Sequence, residues 1–470
     1  MMELANKSVL VLGLGETGRS LVRWLSAQGA RVRAADSRDF PPSLEVLRAQ
    51  FPQVELRCGV FRSELLDGIE LIAISPGVPL RDPLVARAMA RGIPVVGDIE
   101  LFAQQLATND CRLATRVIAI TGVNGKTTVT SMVGAMCRAA GLDTEMAGNI
   151  SPAILDVVLE RQGKQPDVWV LELSSFQLET TASLSADAAT VLNISEDHLD
   201  RYADMGEYIA AKARIFRSDG QEVGVQVLNR DGPDSAGMAL LGRIQITFGF
   251  NTPPPAEDDW GIEHEDEIIW LVQGQKRVLH AGELQVAGLH NIANALAALA
   301  LCRAIGLPLK PLLDGLRAFK GLPHRVERVA EINGITYYDD SKGTNVGATV
   351  AALQGLGRPS VLIAGGEGKG QDFAPLNTVV SEHARAVVLI GRDTNLIAAA
   401  LDGCGVPVIL APDMTAAVQQ SAALARPGDA VLLSPACASF DMFRNYEHRA
   451  EVFVAAVHAL EEEMACTPQA

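Results

Sequence analysis

Basic residues are the scarcer charge. The chain of 470 residues holds 40 Lys and Arg against 56 Asp and Glu, a formal charge of −16. A nucleic-acid binder needs a basic footprint to neutralise phosphates, so the balance argues against that class, while leaving room for a local basic pocket around a small phosphate ligand. Cysteine is equally thin. Seven residues, Cys58, Cys111, Cys137, Cys302, Cys404, Cys437 and Cys466, lie far apart without any Cys-x-x-Cys spacing. That excludes a sequence-local zinc knuckle and fits a reducing compartment better than a disulfide framework. No apolar run approaches the roughly 18 residues of a membrane span, and the stretch Met1–Gly15 has Glu3 and only a short apolar run, unlike a secretory signal. No solenoid-type repeat is visible. A soluble, cytoplasmic, monomeric protein without nucleic-acid or membrane partners is expected.

Apolar residues make up 48% and charged residues 20%, enough for packed cores in a chain whose length suits about three domains. Short apolar strands at Ser8–Leu12, Val32–Ala35 and Leu71–Ile74 alternate with helical stretches in the first segment. The alternation returns around Val117–Thr121, Val168–Leu173 and Ala189–Ile194, and again around Val361–Ala364, Val387–Ile390, Val408–Leu410 and Ala430–Leu433. Such alternation predicts parallel α/β units. Thr252–Asp259 reads as a Pro-rich acidic surface loop, and Leu289–Ile305 as a long buried Ala/Leu helix.

Gly13-x-Gly15-x-x-Gly18 follows a strand and opens a helix, with Asp36 about where a ribose-binding acid belongs. This is the dinucleotide fingerprint in its proper setting. What it supplies physically is a set of backbone N–H groups at a helix N-terminus, suited to any pyrophosphate. It names a phosphate site; a nicotinamide or flavin reaction and another nucleotide use both stay open.

A second phosphate loop is Gly122-Val123-Asn124-Gly125-Lys126-Thr127-Thr128, again after a strand and before a helix. It departs from the common G-x-x-x-x-G-K-[ST] pattern, because Ile120 stands at the first glycine position. The chemistry survives: Gly122 and Gly125 let the backbone wrap oxygens, Lys126 neutralises the β- and γ-phosphates, and Thr127 offers a hydroxyl to Mg²⁺. Three further positions fit a metal half. Glu172 ends a buried strand, where a carboxylate is costly without a partner; a structural arginine could be that partner. His198 follows another strand, and a lone histidine is more often structural than a ligand. Lys212 sits on a helix face otherwise small or apolar, and from spacing alone it reads as a snorkelling surface lysine.

The strings GLGETG, SPGVP, TGVNGKTT, LELSSFQLE, NISEDHLDR, LHNIANALAA, GLPHRVE, DDSKGTN, AGGEGKGQDF and LSPACASFDMFRNY occur in this order. Together they resemble the Mur ligase family over essentially the whole chain. The resemblance implies an α/β fold of three domains. Residues 1–98 would be a Rossmann-like UDP-substrate domain, 99–322 a central P-loop ATPase domain with a mostly parallel sheet, and 323–470 a Rossmann-like amino-acid domain. It implies an ATP-dependent ligase that adds D-glutamate to UDP-N-acetylmuramoyl-L-alanine through an acyl phosphate, in peptidoglycan precursor synthesis.

Position by position, the resemblance assigns residues 122–128 to ATP, with Asn294 at the adenine and Arg325, Asp340 and Lys342 reaching ATP across an interdomain cleft. Thr127 and Glu172 would hold one Mg²⁺, His198 and a carbamylated Lys212 a second. Lys126, His198 and Lys212 are the expected catalytic set. Glu16, Thr17, Asp36, Ser37, Arg38, Gly77, Asn149 and His198 would face the UDP-substrate; Thr344, Lys369, Ser439, Phe440 and Tyr446 would face D-glutamate. Two positions depart from expectation: Glu16 brings negative charge to a pyrophosphate turn, and Tyr446 stands where close relatives often carry phenylalanine. Three competing classes are a different Mur-type or folylpolyglutamate-type ligase, an NAD-dependent oxidoreductase, and a non-enzymatic P-loop switch. The first shares the ATP loop, the second leaves the loop at Lys126 without work, and the third needs no UDP-sugar.

Overall fold

The computed structural model describes residues 3–107, 115–197, 201–217, 224–251, 254–266, 268–286 and 288–466. Among the described residues twenty strands form three sheets. The first is all parallel: β1 (Ser8–Leu12), β2 (Arg31–Asp36), β3 (Glu55–Cys58), β4 (Leu71–Ile74) and β5 (Val95–Val96), in the order β3-β2-β1-β4-β5.

The second sheet begins with β6 (Arg116–Thr121), β7 (Thr144–Gly148), β8 (Val168–Glu172) and β9 (Ala188–Val191). It continues through β10 (Val225–Asn229), β11 (Gln245–Phe248), β12 (Trp260–Glu265), β13 (Ile268–Gln273) and β14 (Lys276–His280), in the order β14-β13-β12-β11-β10-β9-β6-β8-β7. Its last three strands form an antiparallel meander that the sequence reading did not anticipate. The third sheet comprises β15 (Glu327–Ile332), β16 (Ile335–Asp339), β17 (Ser360–Ala364), β18 (Ala384–Leu389), β19 (Val408–Leu410) and β20 (Ala430–Leu433), in the order β15-β16-β20-β17-β18-β19. Only the β15–β16 pair is antiparallel.

Strands such as β8 and β17 are buried along their whole length, because helices cover both faces of a parallel sheet. The expected Ala/Leu helix spans Leu289–Ala304, with Ala295–Cys302 buried. Two compact units result. The first carries the first two sheets and runs to Arg317, apart from Ser195–Asp197 and Gly282–Ala293, which group with the second; the second continues from Ala318 with the third sheet. Within the first unit the helix Asp98–Leu106 docks against the second sheet, with Phe102 edge-on to Trp169 at 5.0 Å. Among the described residues no helix is long and apolar enough to cross a membrane.

Candidate active site

The glycine turn joins β1 to the helix Glu16–Ala27. A Cβ at Gly18 would lie 1.8 Å from the Gly13 carbonyl oxygen, so only glycine lets the helix start this close to the strand end. Asp36 closes β2 and is buried. Its Oδ2 accepts from the Leu14 N–H at 2.7 Å and from Arg38 Nη2 at 2.7 Å; its Oδ1 accepts from the Arg38 N–H at 2.9 Å and Nε at 2.8 Å. Burial by itself raises the Asp36 pKa, but these donors outweigh it and hold the carboxyl below its usual range. Four donors fill the carboxylate's lone pairs, leaving none for the ribose hydroxyl that a dinucleotide enzyme would present. Asp36 thus orients Arg38, which is exposed together with Ser37 and Gly77, while Thr17 is half-buried. The charge of Glu16 is turned onto Ser151, whose Oγ lies 2.8 and 2.9 Å from the two carboxylate oxygens.

The second loop leads from β6 into the helix Lys126–Ala139. Gly125 caps that helix at φ +82°, and a Cβ there would meet Asn294 Oδ1 at 2.5 Å. The side chain of Asn294 therefore lies against the loop itself. Asn193, just past the carboxyl end of the neighbouring parallel strand β9, also holds the loop: its Oδ1 accepts from the Val123 and Asn124 N–H groups at 3.1 and 2.8 Å, and its Nδ2 donates to the Asn124 carbonyl at 3.0 Å. Lys126 Nζ donates to the carbonyls of Gly122 and Val123 at 3.1 and 2.8 Å, folding over the loop it belongs to. Thr127 is half-buried and Thr128 buried.

Glu172, at the end of β8, pairs in register with Ile120 of β6 and so lies one strand from the loop. It is 2% exposed, and its neighbour is an asparagine, in place of the arginine considered from sequence: Asn149 Nδ2 donates to Oε1 at 2.9 Å, while Oε2 is buried with no hydrogen-bond partner. A buried, undonated carboxylate oxygen is costly and is the kind of atom a hard cation satisfies. Lys212 corrects the snorkelling expectation. It is 2% exposed, its Nζ donates to the Gly122 carbonyl at 2.7 Å, and it lies 4.7 Å from the centre of the Tyr208 ring. Packing of Tyr208 and Ala211 into the interior carries the lysine in with them. Lys126 and Lys212 thus meet on one carbonyl, one strand from a carboxylate with a spare oxygen. His198 lies outside the described residues.

In the second unit three loops leave the carboxyl ends of the neighbouring strands β16, β20 and β17, the edge where open α/β sheets bind ligands. The loop after β16 carries Asp340, Lys342 and Thr344; that after β17 carries Lys369; that after β20 carries Ser439 and Phe440. Main-chain bonds lace them together: Ala436 N–H to the Gly343 carbonyl at 2.9 Å, Gly365 N–H to Pro435 at 2.8 Å, and a reciprocal Glu367–Ala438 pair at 3.0 and 2.9 Å. Lys369 is exposed at φ +49°, a left-handed conformation uncommon for lysine. Phe440 is exposed and Ser439 buried. Lys342 Nζ sits 3.6 Å from the centre of the Tyr446 ring. Burial first, then the neighbouring Glu447, push the Tyr446 hydroxyl up to about 12. Asp340 accepts from Ser434 Oγ at 2.6 Å, and full burial pushes its carboxyl up to about 7 despite that bond and the nearby Arg325.

Family profiles match all three parts of the chain: a Mur ligase MurD-like N-terminal domain at residues 7–97, a Mur ligase middle domain at 120–302, and a Mur ligase glutamate ligase domain at 324–437. The chain belongs to the Mur ligase family. This Mur ligase is 59% identical over 462 residues to the UDP-N-acetylmuramoylalanine–D-glutamate ligase of Nitrosospira multiformis, covering 98% of this chain and 97% of that protein. It is 54% identical to the ligase of the same name from Nitrosomonas europaea, over 100% of this chain and 99% of that one. Among solved structures it shares the fold of the UDP-N-acetylmuramate–alanine ligase MurC of Thermotoga maritima, at TM-score 0.59 and 18% identity over 96% of this chain and 99% of that one. A pseudomurein peptide ligase type C of Methanothermus fervidus gives the same TM-score of 0.59 at 17% identity, over 97% and 100%. Membership of the family implies use of ATP.

Asn193 and Gln371 of this Mur ligase escaped the sequence reading. Asn193 clamps the phosphate loop, and Gln371 pins the loop after β17 by donating to the Gly368 and Ala436 carbonyls at 3.0 and 3.3 Å and accepting from the Val346 N–H at 3.1 Å. Both lie inside strings quoted for the resemblance, but nothing local marks a side chain whose partners are far away in sequence.

Proposed function

We infer that this Mur ligase joins D-glutamate to UDP-N-acetylmuramoyl-L-alanine with cleavage of ATP, in cytoplasmic peptidoglycan precursor synthesis that feeds cell-wall growth, cell shape and division. The observation that carries the inference is the 59% identity, over nearly the full length of both chains, to a relative bearing that activity in its name. In this scheme a carboxylate oxygen of the UDP-substrate attacks the γ-phosphorus and ADP leaves. The amine of D-glutamate then attacks the acyl carbon, loses a proton, and phosphate departs from the tetrahedral intermediate. Phosphorylation is needed because a free carboxylate resists nucleophiles.

The chain's part is mainly positioning and charge. The amides of residues 122–128 and the ammonium of Lys126 hold the phosphates, with Lys126 exchanging its present carbonyl partners for phosphate oxygens. Asn294, Arg325, Asp340 and Lys342 complete the ATP contacts. Thr127 and Glu172 would hold one Mg²⁺, a role the undonated Oε2 of Glu172 supports, and His198 with carbamylated Lys212 a second. When bound, Mg²⁺ neutralises charge on the phosphate oxygens. Carbamylation converts Lys212 from cation to oxygen donor and retains one N–H for the Gly122 carbonyl, removing the meeting of two ammonium groups. Thr17, Ser37, Arg38, Gly77, Asn149 and His198 would bind the UDP-substrate, with Asp36 acting through Arg38 and Glu16 through its contact with Ser151. Thr344, Lys369, Ser439, Phe440 and Tyr446 would take D-glutamate. The domain limits 1–98, 99–322 and 323–470 and a monomeric state belong to the same proposal.

The test is phosphate release with ATP, Mg²⁺ and UDP-N-acetylmuramoyl-L-alanine against a panel of amino acids. D-Glutamate should support turnover, and Lys126→Ala should abolish it while leaving UDP-substrate binding largely intact. Efficient use of L-lysine or meso-diaminopimelate with D-glutamate ignored would show a different ligase. Equal ATP hydrolysis with and without the carboxylate substrate would point to a switch.

A further inference from the structure

Arg449 is the largest buried cation of the second unit, 1% exposed, on the helix Tyr446–Cys466. Among the described residues no carboxylate lies within ion-pair distance of it. A buried guanidinium with no carboxylate in direct contact is expensive, and burial pushes its pKa down to about 10 even though Cys437, Asp441, Asp339 and Asp340 act in the opposite direction. A methionine would fill similar space without that cost. The structure shows what the charge does instead. Nε donates to Ser341 Oγ at 3.0 Å, Nη2 to the Ser341 carbonyl at 2.8 Å, and Nη1 to the Cys437 carbonyl at 3.1 Å. Ser341 Oγ in turn donates to the Tyr446 carbonyl at 2.8 Å, and Ser341 N–H is held by Asp339 Oδ1 at 2.8 Å.

One planar fork therefore joins three pieces of the proposed site. Ser341 lies between Asp340 and Lys342, Cys437 precedes Ser439 by two residues, and Tyr446 starts the helix that carries the arginine itself. The fork's fixed geometry matters, since a lysine in its place would offer a point charge on a flexible stem and reach at most part of this set.

We propose that Arg449 is a positioning residue that sets the loop carrying Asp340, Lys342 and Thr344 in register with the loop carrying Ser439 and Phe440, and so governs affinity for the incoming amino acid. The proposal deepens the assignment of these loops to D-glutamate and rests on it. No contact between Arg449 and substrate is required.

The experiment is steady-state kinetics of full-length Arg449→Lys beside wild type, varying each substrate in turn, with thermal unfolding followed by circular dichroism. The expected result is a folded variant whose KM for D-glutamate rises tenfold or more and whose KM for ATP rises less, since Asp340 and Lys342 share the anchored loop, while KM for the UDP-substrate stays within twofold, because that substrate's proposed residues lie in the first unit. Unchanged KM for D-glutamate, or a parallel rise for every substrate, would overturn it. Should Arg449→Lys fail to fold, Ser341→Ala removes the Nε acceptor and the bond to the Tyr446 carbonyl but leaves both carbonyl contacts of Arg449; it should raise KM for D-glutamate several-fold with the same selectivity, and no rise would again overturn the proposal. If wild type ignores D-glutamate, the functional assignment fails by itself, and the same variants are then judged on whichever amino acid of the panel wild type does use.

Discussion

Lys212 Nζ donates to the carbonyl of Gly122 at 2.7 Å, linking a helix to a loop ninety positions earlier in the chain. The bond is buried, and it puts the lysine at the phosphate loop. Lys212→Ala should be nearly inactive, with partial recovery on adding short carboxylates such as formate that supply the missing oxygen donor. Lys212→Arg should stay inactive, because a guanidinium keeps its charge and cannot become an oxygen ligand. Initial rates of phosphate release decide this, and wild-type rates in the arginine variant would rule out the carbamate.

Asp36 and Arg38 should behave as one unit. Asp36→Asn keeps the shape but loses the negative charge and one of the two oxygens that accept from the Leu14 amide and Arg38. A charge-assisted hydrogen bond is worth about 1.5–3 kcal/mol, so UDP-substrate affinity should fall roughly tenfold to a hundredfold. Arg38→Ala should cost a comparable amount, and the double variant little more than either alone. Isothermal titration with the UDP-substrate measures all three; strictly additive losses would mean that Asp36 contacts the ligand by itself.

Lys369→Ala tests the amino-acid end. Loss of one charged contact should lower kcat/KM for D-glutamate by about tenfold to a hundredfold while sparing the affinities for ATP and the UDP-substrate. Substrate-by-substrate kinetics separate these. An unchanged efficiency would make Lys369 a solvated turn residue.

Asp340 predicts a pH signature in stability. Burial raises its folded pKa to about 7, well above the ordinary carboxylate range, so between about pH 4 and 7 the folded state holds a proton that the unfolded state has released. The stabilising contribution is complete below about pH 4 and is lost as pH rises toward 7. Asp340→Asn, which stays neutral, should therefore unfold at a higher temperature than wild type at pH 8, with the difference shrinking at pH 5. Thermal melts without nucleotide at both pH values check it. The same variant should lose ATP-dependent turnover.

The parallel strands were legible because each is a short apolar run bounded by glycine or a polar turn, and β4, β19 and β20 have the expected limits. The β12–β14 meander was not, because Glu263, His264 and Glu265 dilute the apolar pattern over the second half of β12, which is not buried. Among site residues, Gly122–Thr128 could be read locally, since a phosphate loop is a continuous string between a strand and a helix. Lys212 could not. Its burial depends on what the helix packs against, and one short helix carries no sign of that. Asn193 and Arg449 escaped for the same reason: each gains its role from carbonyls and amides that the fold, not the sequence neighbourhood, supplies.

The lacing of the three loops in the second unit is made by peptide groups: Ala436 to Gly343, Gly365 to Pro435, Glu367 to Ala438 and back. Backbone amides are indifferent to most side-chain changes, so the path of these loops is insulated from the identity of Thr344, Lys369 and Ser439. Amino-acid preference in such a frame is evolvable by point substitution, without rebuilding the chain trace. Proteins at 17–18% identity to this chain share its fold, the level at which a path held by peptide groups persists.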